Sequence, residues 1–324
     1  MKRREFIVLL GGATAARALP GSAQGQAPKI LRVGIVSVNK RNTPFFIAFE
    51  KRMRELGYNE GNLAIEFLNV PSPAEYPKAY QELVQRHVNI IIALGPELAL
   101  KSAIAATSKL PIVMVAIDYD PFALGYVTSL AHPTGNVTGV YFQQIELSAK
   151  RLELAKEMMP GLQSAAVFWD SASEDQFQSL KKAGQDLGIR LFGVEIRNQP
   201  YNYSAAWEGI PAEYGGMLIL PTSPVFFRDH PQIAKFTVER RIPAMFVFRE
   251  WVDAGGLVSY GASITGVLVR AAEYVDKLAK GVTPPDLPIE QPTKFELILN
   301  LKTAKEIGLT IPEATLLRAD EVIE

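Results

Sequence analysis

The sequence predicts an α/β protein built as two similar doubly wound lobes, each a parallel sheet with helices on both faces. Three observations carry that reading. Short continuous apolar runs alternate with longer amphipathic ones along nearly the whole chain, the order that gives parallel strands joined by helical crossovers. A chain of 324 residues is long enough to bury two cores. A helix that stops at Leu-Gly and is followed by a strand recurs at corresponding places, as ELGYNEGNLAIEF near residue 60 and DLGIRLFGVEI near residue 190.

In the first half, Ile30 to Ser37 (ILRVGIVS) is an unbroken apolar run, as expected of a buried parallel strand. Pro44 to Leu56 reads as a helix with Phe45, Phe49, Met53 and Leu56 on one stripe, closed by Gly57. Leu63 to Asn69 is a strand and Tyr76 to Arg86 a helix. Asn89 to Leu94 (NIIIAL) is a third strand, broken by Gly95-Pro96; Glu97 to Thr107 is a helix and Pro111 to Ile117 (PIVMVAI) a fourth strand. The pattern then restarts. Glu146 to Met159 is a helix, Ser164 to Trp169 a strand, Ser173 to Leu187 a helix ending in Gly188, and Arg190 to Ile196 a strand. Met217 to Leu220 is a buried strand, His230 to Arg241 a helix, and Ala244 to Phe248 another strand. The last part is less regular. Gly256 to Tyr260 is a short strand and Ile264 to Lys280 a strong helix, with Leu268, Ala271, Ala272, Val275, Leu278 and Ala279 on one face. Gly281 to Pro292 is Pro-rich and extended, Phe295 to Leu299 a strand, and Leu301 to Ile307 a short helix.

Composition narrows the function. With 48% hydrophobic and 21% charged residues, the chain is too apolar to be disordered and too charged for many membrane spans. Lys+Arg 34 balances Asp+Glu 34, so no net charge draws it to nucleic acid. Cys is 0, which removes disulfides, thiolate catalysis, Cys-ligated metals and a lipid anchor on Cys. His87, His132 and His230 lie far apart in sequence, so no metal is expected; no cofactor is expected either.

Residues 1–27 read as an export signal. Lys2, Arg3 and Arg4 form a basic start, Phe6 to Ala16 is apolar and too short to span a bilayer, and Gly21-Ser22-Ala23 offers small residues to a peptidase. Arg3-Arg4 followed by Glu5-Phe6-Ile7 points to the twin-arginine type, with an ordinary Sec signal as the alternative. Cleavage after Ala23 removes four bases and one acid from 34 of each, leaving a formal charge of −3. The expected working protein is periplasmic and not lipid-anchored, in a compartment where ATP and NAD(P)H are scarce.

No G-x-x-x-x-G-K-[ST], strand-linked G-x-G-x-x-G, H-E-x-x-H or G-x-S-x-G is present. Ser37, Ser223 and Ser259 follow strands, with nothing to pair any of them with a His. Asp118 and Asp120 could form a carboxylate pair, although Asp120-Pro121 reads better as a turn. Ligands of open parallel sheets sit beyond the carboxyl ends of the strands. Those ends carry Asn39, Gly95-Pro96-Glu97 and Asp118-Tyr119-Asp120 in the first half, and Trp169, Thr222-Ser223 and Phe248-Arg249 in the second. With Phe45 they suit an amphipathic small molecule. Backbone N–H groups at Gly95-Pro96-Glu97 could accept a carboxylate, Asp118 or Asp120 hold an ammonium, and Arg249 grip a carboxylate in bidentate fashion. For Arg249 a salt bridge to Glu250 or another local acid is an equal alternative; for Trp169 and Phe248, so is core packing.

DPFALGYVTSLAHPTGNVTG (Asp120 to Gly139), KRLELAKEMMP (Lys150 to Pro160), RRIPAMFVFREWVDAGGLVSYG (Arg240 to Gly261), RAAEYVDKLAKG (Arg270 to Gly281) and above all DLPIEQPTKFELILNLKTAKEIGLTIP (Asp286 to Pro312), with RADEVIE at the end, resemble the extracytoplasmic substrate-binding proteins of ABC importers, in the tryptophan/tyrosine-binding group. The resemblance covers nearly all of the chain after the signal. It implies a type I periplasmic binding protein fold whose chain crosses between lobes three times. The crossings fall near Tyr141-Phe142, Ser259-Tyr260-Gly261 and Glu290-Gln291-Pro292, which adds Tyr141 and Tyr260 to the ligand-binding candidates. Lobe 1 is then 28–141 plus 260–290, and lobe 2 is 142–259 plus 291–324. It also implies a non-enzymatic clamp on a small aromatic or amino-acid-like carboxylate, an inner-membrane ABC permease as partner, no nucleic-acid partner, and a monomer. Where such proteins often have a Gly-Thr-Pro-like loop, this chain has Gly95-Pro96-Glu97, an acid that repels a ligand carboxylate. An exported hydrolase or isomerase using Asp118 or Asp120, or a ligand-sensing partner of a membrane receptor, are the rival expectations.

Overall fold

The computed structural model describes residues 30–142 and 144–324, without the side chain of Gln144. The expected export signal, residues 1–27, lies outside the described residues.

The first sheet is all parallel. β1 (Leu31–Ser37) pairs with β2 (Leu63–Asn69), Leu31 opposite Leu63 through Ser37 opposite Asn69. β1 also pairs with β3 (Ile90–Gly95), β3 with β4 (Ile112–Ile117), and β4 with β5 (Val137–Phe142), giving the order β2-β1-β3-β4-β5. The crossovers are α1 (Pro44–Glu55), α2 (Tyr76–Gln85) and α3 (Glu97–Ala106). α1 starts with Pro44 at its first turn, where a missing N–H costs nothing, and buries Phe45, Phe46, Phe49 and Met53 completely. Each such side chain contributes roughly 1.5–3 kcal/mol over its exposed state.

The second sheet repeats the plan. After α4 (Gln144–Met158) come β6 (Ser164–Trp169), α5 (Glu174–Leu187), β7 (Arg190–Glu195), α6 (Tyr203–Glu208), β8 (Leu218–Ile219), α7 (Pro224–Arg228), α8 (His230–Glu239), β9 (Ala244–Phe246), α9 (Arg249–Asp253) and β10 (Val258–Ala262). Read from β7, the order is β7-β6-β8-β9-β10, the same winding as the first sheet. α10 (Ile264–Ala279) follows, then β11 (Phe295–Asn300), α11 (Leu301–Ile307), α12 (Glu313–Leu316) and β12 (Glu321–Ile323). β11 joins β10 antiparallel and β12 joins β11 parallel, so this sheet is a mixed seven-stranded one.

Several expectations are adjusted. Val137–Phe142 is a full strand, which the sequence reading left as a crossing. The chain can pass there because Gly139, at φ +134, lies against the backbone of Met114, where a Cβ would stand 2.1 Å from the carbonyl oxygen. Tyr141 and Phe142 therefore belong to the first sheet, and Tyr260 to Ala262 to the second. The strand expected to run to Phe248 stops at Phe246, and Phe248 instead precedes α9. α6, α7, α9 and α12 are too short to show a helical period.

α10 leaves the second sheet and returns to the first lobe along α1. Arg52 Nη2 donates to Glu273 Oε1 at 2.9 Å and Tyr58 Oη to Asp276 Oδ1 at 3.2 Å. Glu290 bridges to Val140 beside β5 before the chain enters β11 in the second sheet.

Candidate functional site

A cavity of about 520 Å³ lies where the carboxyl ends of the two sheets face each other, the position at which open parallel sheets hold ligands. The first lobe supplies Asn39 after β1, Gly95, Pro96 and Glu97 at the β3–α3 turn, and Asp118, Tyr119 and Asp120 after β4, with Phe45 from α1. The second supplies Thr222 and Ser223 after β8 and Phe248 after β9. All of these were candidates from the sequence. Gly95, at φ +116, makes the turn from strand to helix that only a residue without Cβ adopts freely.

Four candidates lie elsewhere. Trp169 ends β6 on the face covered by α5, stacked on Phe177 with ring centroids 5.1 Å apart. Arg249 grips Glu321 of β12 through two nitrogens, at 2.5 and 2.8 Å, and Asp253 at 3.1 Å. Its acid partner is thus brought from the far C-terminus by sheet pairing. Tyr141 is buried within β5 in the core of the first lobe, its N–H donating to the Glu290 carbonyl at 3.0 Å. Tyr260, mid-strand in β10, packs against Phe295. Side chains alternate across a strand, so position near a strand end did not fix which face these residues take.

The cavity also holds residues the sequence reading passed over: Tyr76 of α2, Asp175 of α5, Phe227 of α7 and Ile264 of α10. Asp175 sits in the first turn of the helix after β6, a position the strand-end rule could have included. Phe227 is on a five-residue helix with no readable period.

The lobes touch across the cavity. Gln176 of α5 donates through Nε2 to Asp118 Oδ2 at 3.2 Å and to the Thr222 carbonyl at 3.1 Å, and its Oε1 accepts from the Thr222 N–H at 2.9 Å. Phe45 and Phe227 meet edge to face at 5.7 Å, and Phe142 and Phe248 at 6.4 Å. Asp118 takes a left-handed backbone, φ +68, a conformation that costs a non-glycine residue about 1–2 kcal/mol and is concentrated at functional positions. Arg151 of α4 is buried and donates through Nε to the Tyr260 carbonyl at 2.7 Å. Burial pulls its guanidinium down to about 10, against the attraction of Asp118, so it keeps its charge at neutral pH.

The remaining polar groups divide into committed and open. Ser223 Oγ donates to buried Asp170 and accepts from the Val225 N–H, which makes it a helix cap. Asp120 accepts from the N–H groups of Phe122 and Ala123 at 2.8 and 3.1 Å, the turn the sequence indicated. Glu97 accepts from Tyr126 Oη. Tyr119 and Thr222 line the cavity and are 8% and 6% exposed, while their hydroxyl oxygens are buried and have no hydrogen-bond partner among the described residues. Burial pushes the Tyr119 phenol well above its ordinary range, with Tyr126 and Glu97 adding to the effect, so it stays a hydroxyl. Buried hydroxyls without partners are costly.

Comparison with known proteins agrees with this geometry. The family model described as ABC transporter substrate binding protein matches residues 46–323. A tyrosine-binding protein of Clostridioides difficile (strain R20291) is 26% identical over 269 residues, 81% of this chain and 75% of that one. Among solved structures, an ABC domain from Streptococcus pneumonia in complex with L-Trp superposes with a TM-score of 0.78 at 21% identity, covering 91% of this chain and 100% of that chain. The ligand-free, open structure of a substrate binding protein with adhesive properties from Clostridium difficile does so with 0.64 at 21% identity, covering 91% and 99%.

Proposed function

The chain belongs to the ABC transporter substrate-binding protein family, and from that premise we propose that it is the extracytoplasmic solute-binding component of an ABC-type importer. It captures a small aromatic solute between its two lobes, without altering it chemically, and presents it to an inner-membrane permease. It works as a monomer outside the cytoplasm, exported by the signal read at residues 1–27. Among the described residues no helix is long and apolar enough to cross a membrane.

The observation that carries this reading is the cavity at the meeting of two sheets with the same winding, spanned by contacts from both lobes. The aromatic part of the reading draws on Phe45, Phe227 and Phe248 in its wall and on the tyrosine and tryptophan named for the relatives. Asp118 and Asp120, the carboxylates an enzyme would need, are occupied by Gln176 and by a turn. The segments after Ala262 and around Gln291 join the lobes and act as part of the hinge. A ligand touching both lobes favours closure by its differential affinity for the closed form. Moving a population from 1% to 99% closed takes about 5.5 kcal/mol; several charge-assisted hydrogen bonds of about 1.5–3 kcal/mol each suffice.

Small-angle scattering during titration with tyrosine- and tryptophan-derived solutes tests this. The radius of gyration should fall in step with occupancy. Tight binding with an unchanged radius refutes the clamp.

A further inference from the structure

Resting on the solute-binding reading, we propose that the cavity selects aromatic amines, organic cations with no carboxylate beside the ammonium, over the parent amino acids. Its wall carries four carboxylates, Glu97, Asp118, Asp120 and Asp175, and among the described residues no Lys, Arg or His. Asp118 has Arg151 behind it as a source of compensating charge. Glu97, Asp120 and Asp175 form no salt bridge among the described residues, and the cation nominated by the sequence, Arg249, is tied to Glu321 and Asp253 away from the cavity.

A ligand carboxylate would need donors, and among the described residues no cationic side chain lines the cavity to supply them. The N-terminus of α3 opens on the cavity, but Glu97 occupies its first turn with a negative charge of its own. Ser223 is committed to Asp170. The hydroxyls of the wall residues Tyr119 and Thr222 are buried, neutral and without a hydrogen-bond partner among the described residues. The rings of Phe45, Phe227 and Phe248 in the cavity wall favour an aromatic body. Among the described residues no group of three or more His, Asp or Glu is placed to hold a metal ion.

The test compares three charge states of one skeleton by calorimetric titration of the full mature chain, with scattering recorded in parallel. The compounds are tyramine, tyrosine and 3-(4-hydroxyphenyl)propionate, then tryptamine, tryptophan and indole-3-propionate. The amine should bind at least about tenfold tighter than its amino acid, a difference of about 1.4 kcal/mol, and the propionates should not bind. An amino acid or propionate that binds tighter than its amine and compacts the protein overturns the charge selection while the clamp stands. If no compound of any charge binds or compacts the protein, the aromatic-solute reading and the selection fall together. Asp175→Asn, an exposed change that keeps the first turn of α5, should weaken the amines severalfold and leave the amino acids unchanged or tighter. Equal weakening of both, with an unchanged melting curve, counts against the proposal.

Discussion

The edge-to-face pair of Phe45 and Phe227 gives the sharpest handle on closure, because one ring belongs to each lobe. Their centroids are 5.7 Å apart with the rings inclined at 70°. Such a pair is worth about 0.5–1.5 kcal/mol beyond the area it buries. The contact exists only with the lobes together, so this energy belongs to the closed state alone. Phe227 also touches Phe248 and Trp251 within its own lobe, and Phe45 touches Phe46, so either single change carries a local packing cost. A double-mutant cycle removes that cost. Phe45→Leu, Phe227→Leu and the double variant, with Leu keeping most of the apolar volume, should each weaken ligand binding. The double variant should bind about 2- to 13-fold tighter than the product of the two single losses predicts, the fold-change equivalent of 0.5–1.5 kcal/mol. Calorimetry with the tightest ligand found reads the cycle, and unfolding of the ligand-free variants reports what each change does to its own lobe. Strict additivity in binding, with both singles weakened, would mean that the ligand does not bring these rings together, and the closing reading would fail.

Two further predictions concern stability. Glu250 of α9 is buried, and its Oε2 has no partner among the described residues. Desolvation pushes its carboxyl up to about 7, with Asp253 and Glu296 adding to the rise and its own backbone N–H and Arg249 opposing it. The folded state thus holds a proton that the unfolded chain releases near 4.5. The contribution of this group to stability is greatest below that value and falls as pH rises toward 7, by on the order of 3 kcal/mol. Glu250→Gln should therefore melt higher than the parent at pH 8 and converge with it near pH 4; an offset that does not change with pH would contradict this. Gly139→Ala would drive a methyl into the Met114 backbone at an unfavourable φ, and should cost at least ~3 kcal/mol in denaturant unfolding. A midpoint equal to that of the parent would show that β4 and β5 can separate there.

Much of the fold was legible because burial leaves a periodic trace. The unbroken run at Ile30 to Ser37 and the stripe of Phe45, Phe49 and Met53 announce a buried strand and its covering helix, and both form with nearly the expected bounds. The site was legible in part for a related reason: the strand ends that carry Asn39, Gly95, Asp118 and Thr222 meet at one edge whenever parallel strands are wound with right-handed crossovers. Short helices such as the one bearing Phe227 span too little chain to show a period, so that residue had no signal. Trp169 and Arg249 were misplaced because the face of a strand end, and the distant acid that captures a guanidinium, are settled by pairings between segments remote in sequence.

By itself, then, the amino-acid order determined most of the buried strands and the longer helices, that they wind into two like halves, and which loops crowd the edge between them. Tertiary structure alone decided which side chains at that edge face the cavity, that acids outnumber bases there, and that Phe45 meets Phe227 and Asp118 meets Gln176 across it. The division follows from range. Local burial and turn formation act over a few residues and leave their mark in the sequence pattern. Charge pairing and ring contacts join groups brought within a few ångströms by folding, and no neighbour in the sequence records them.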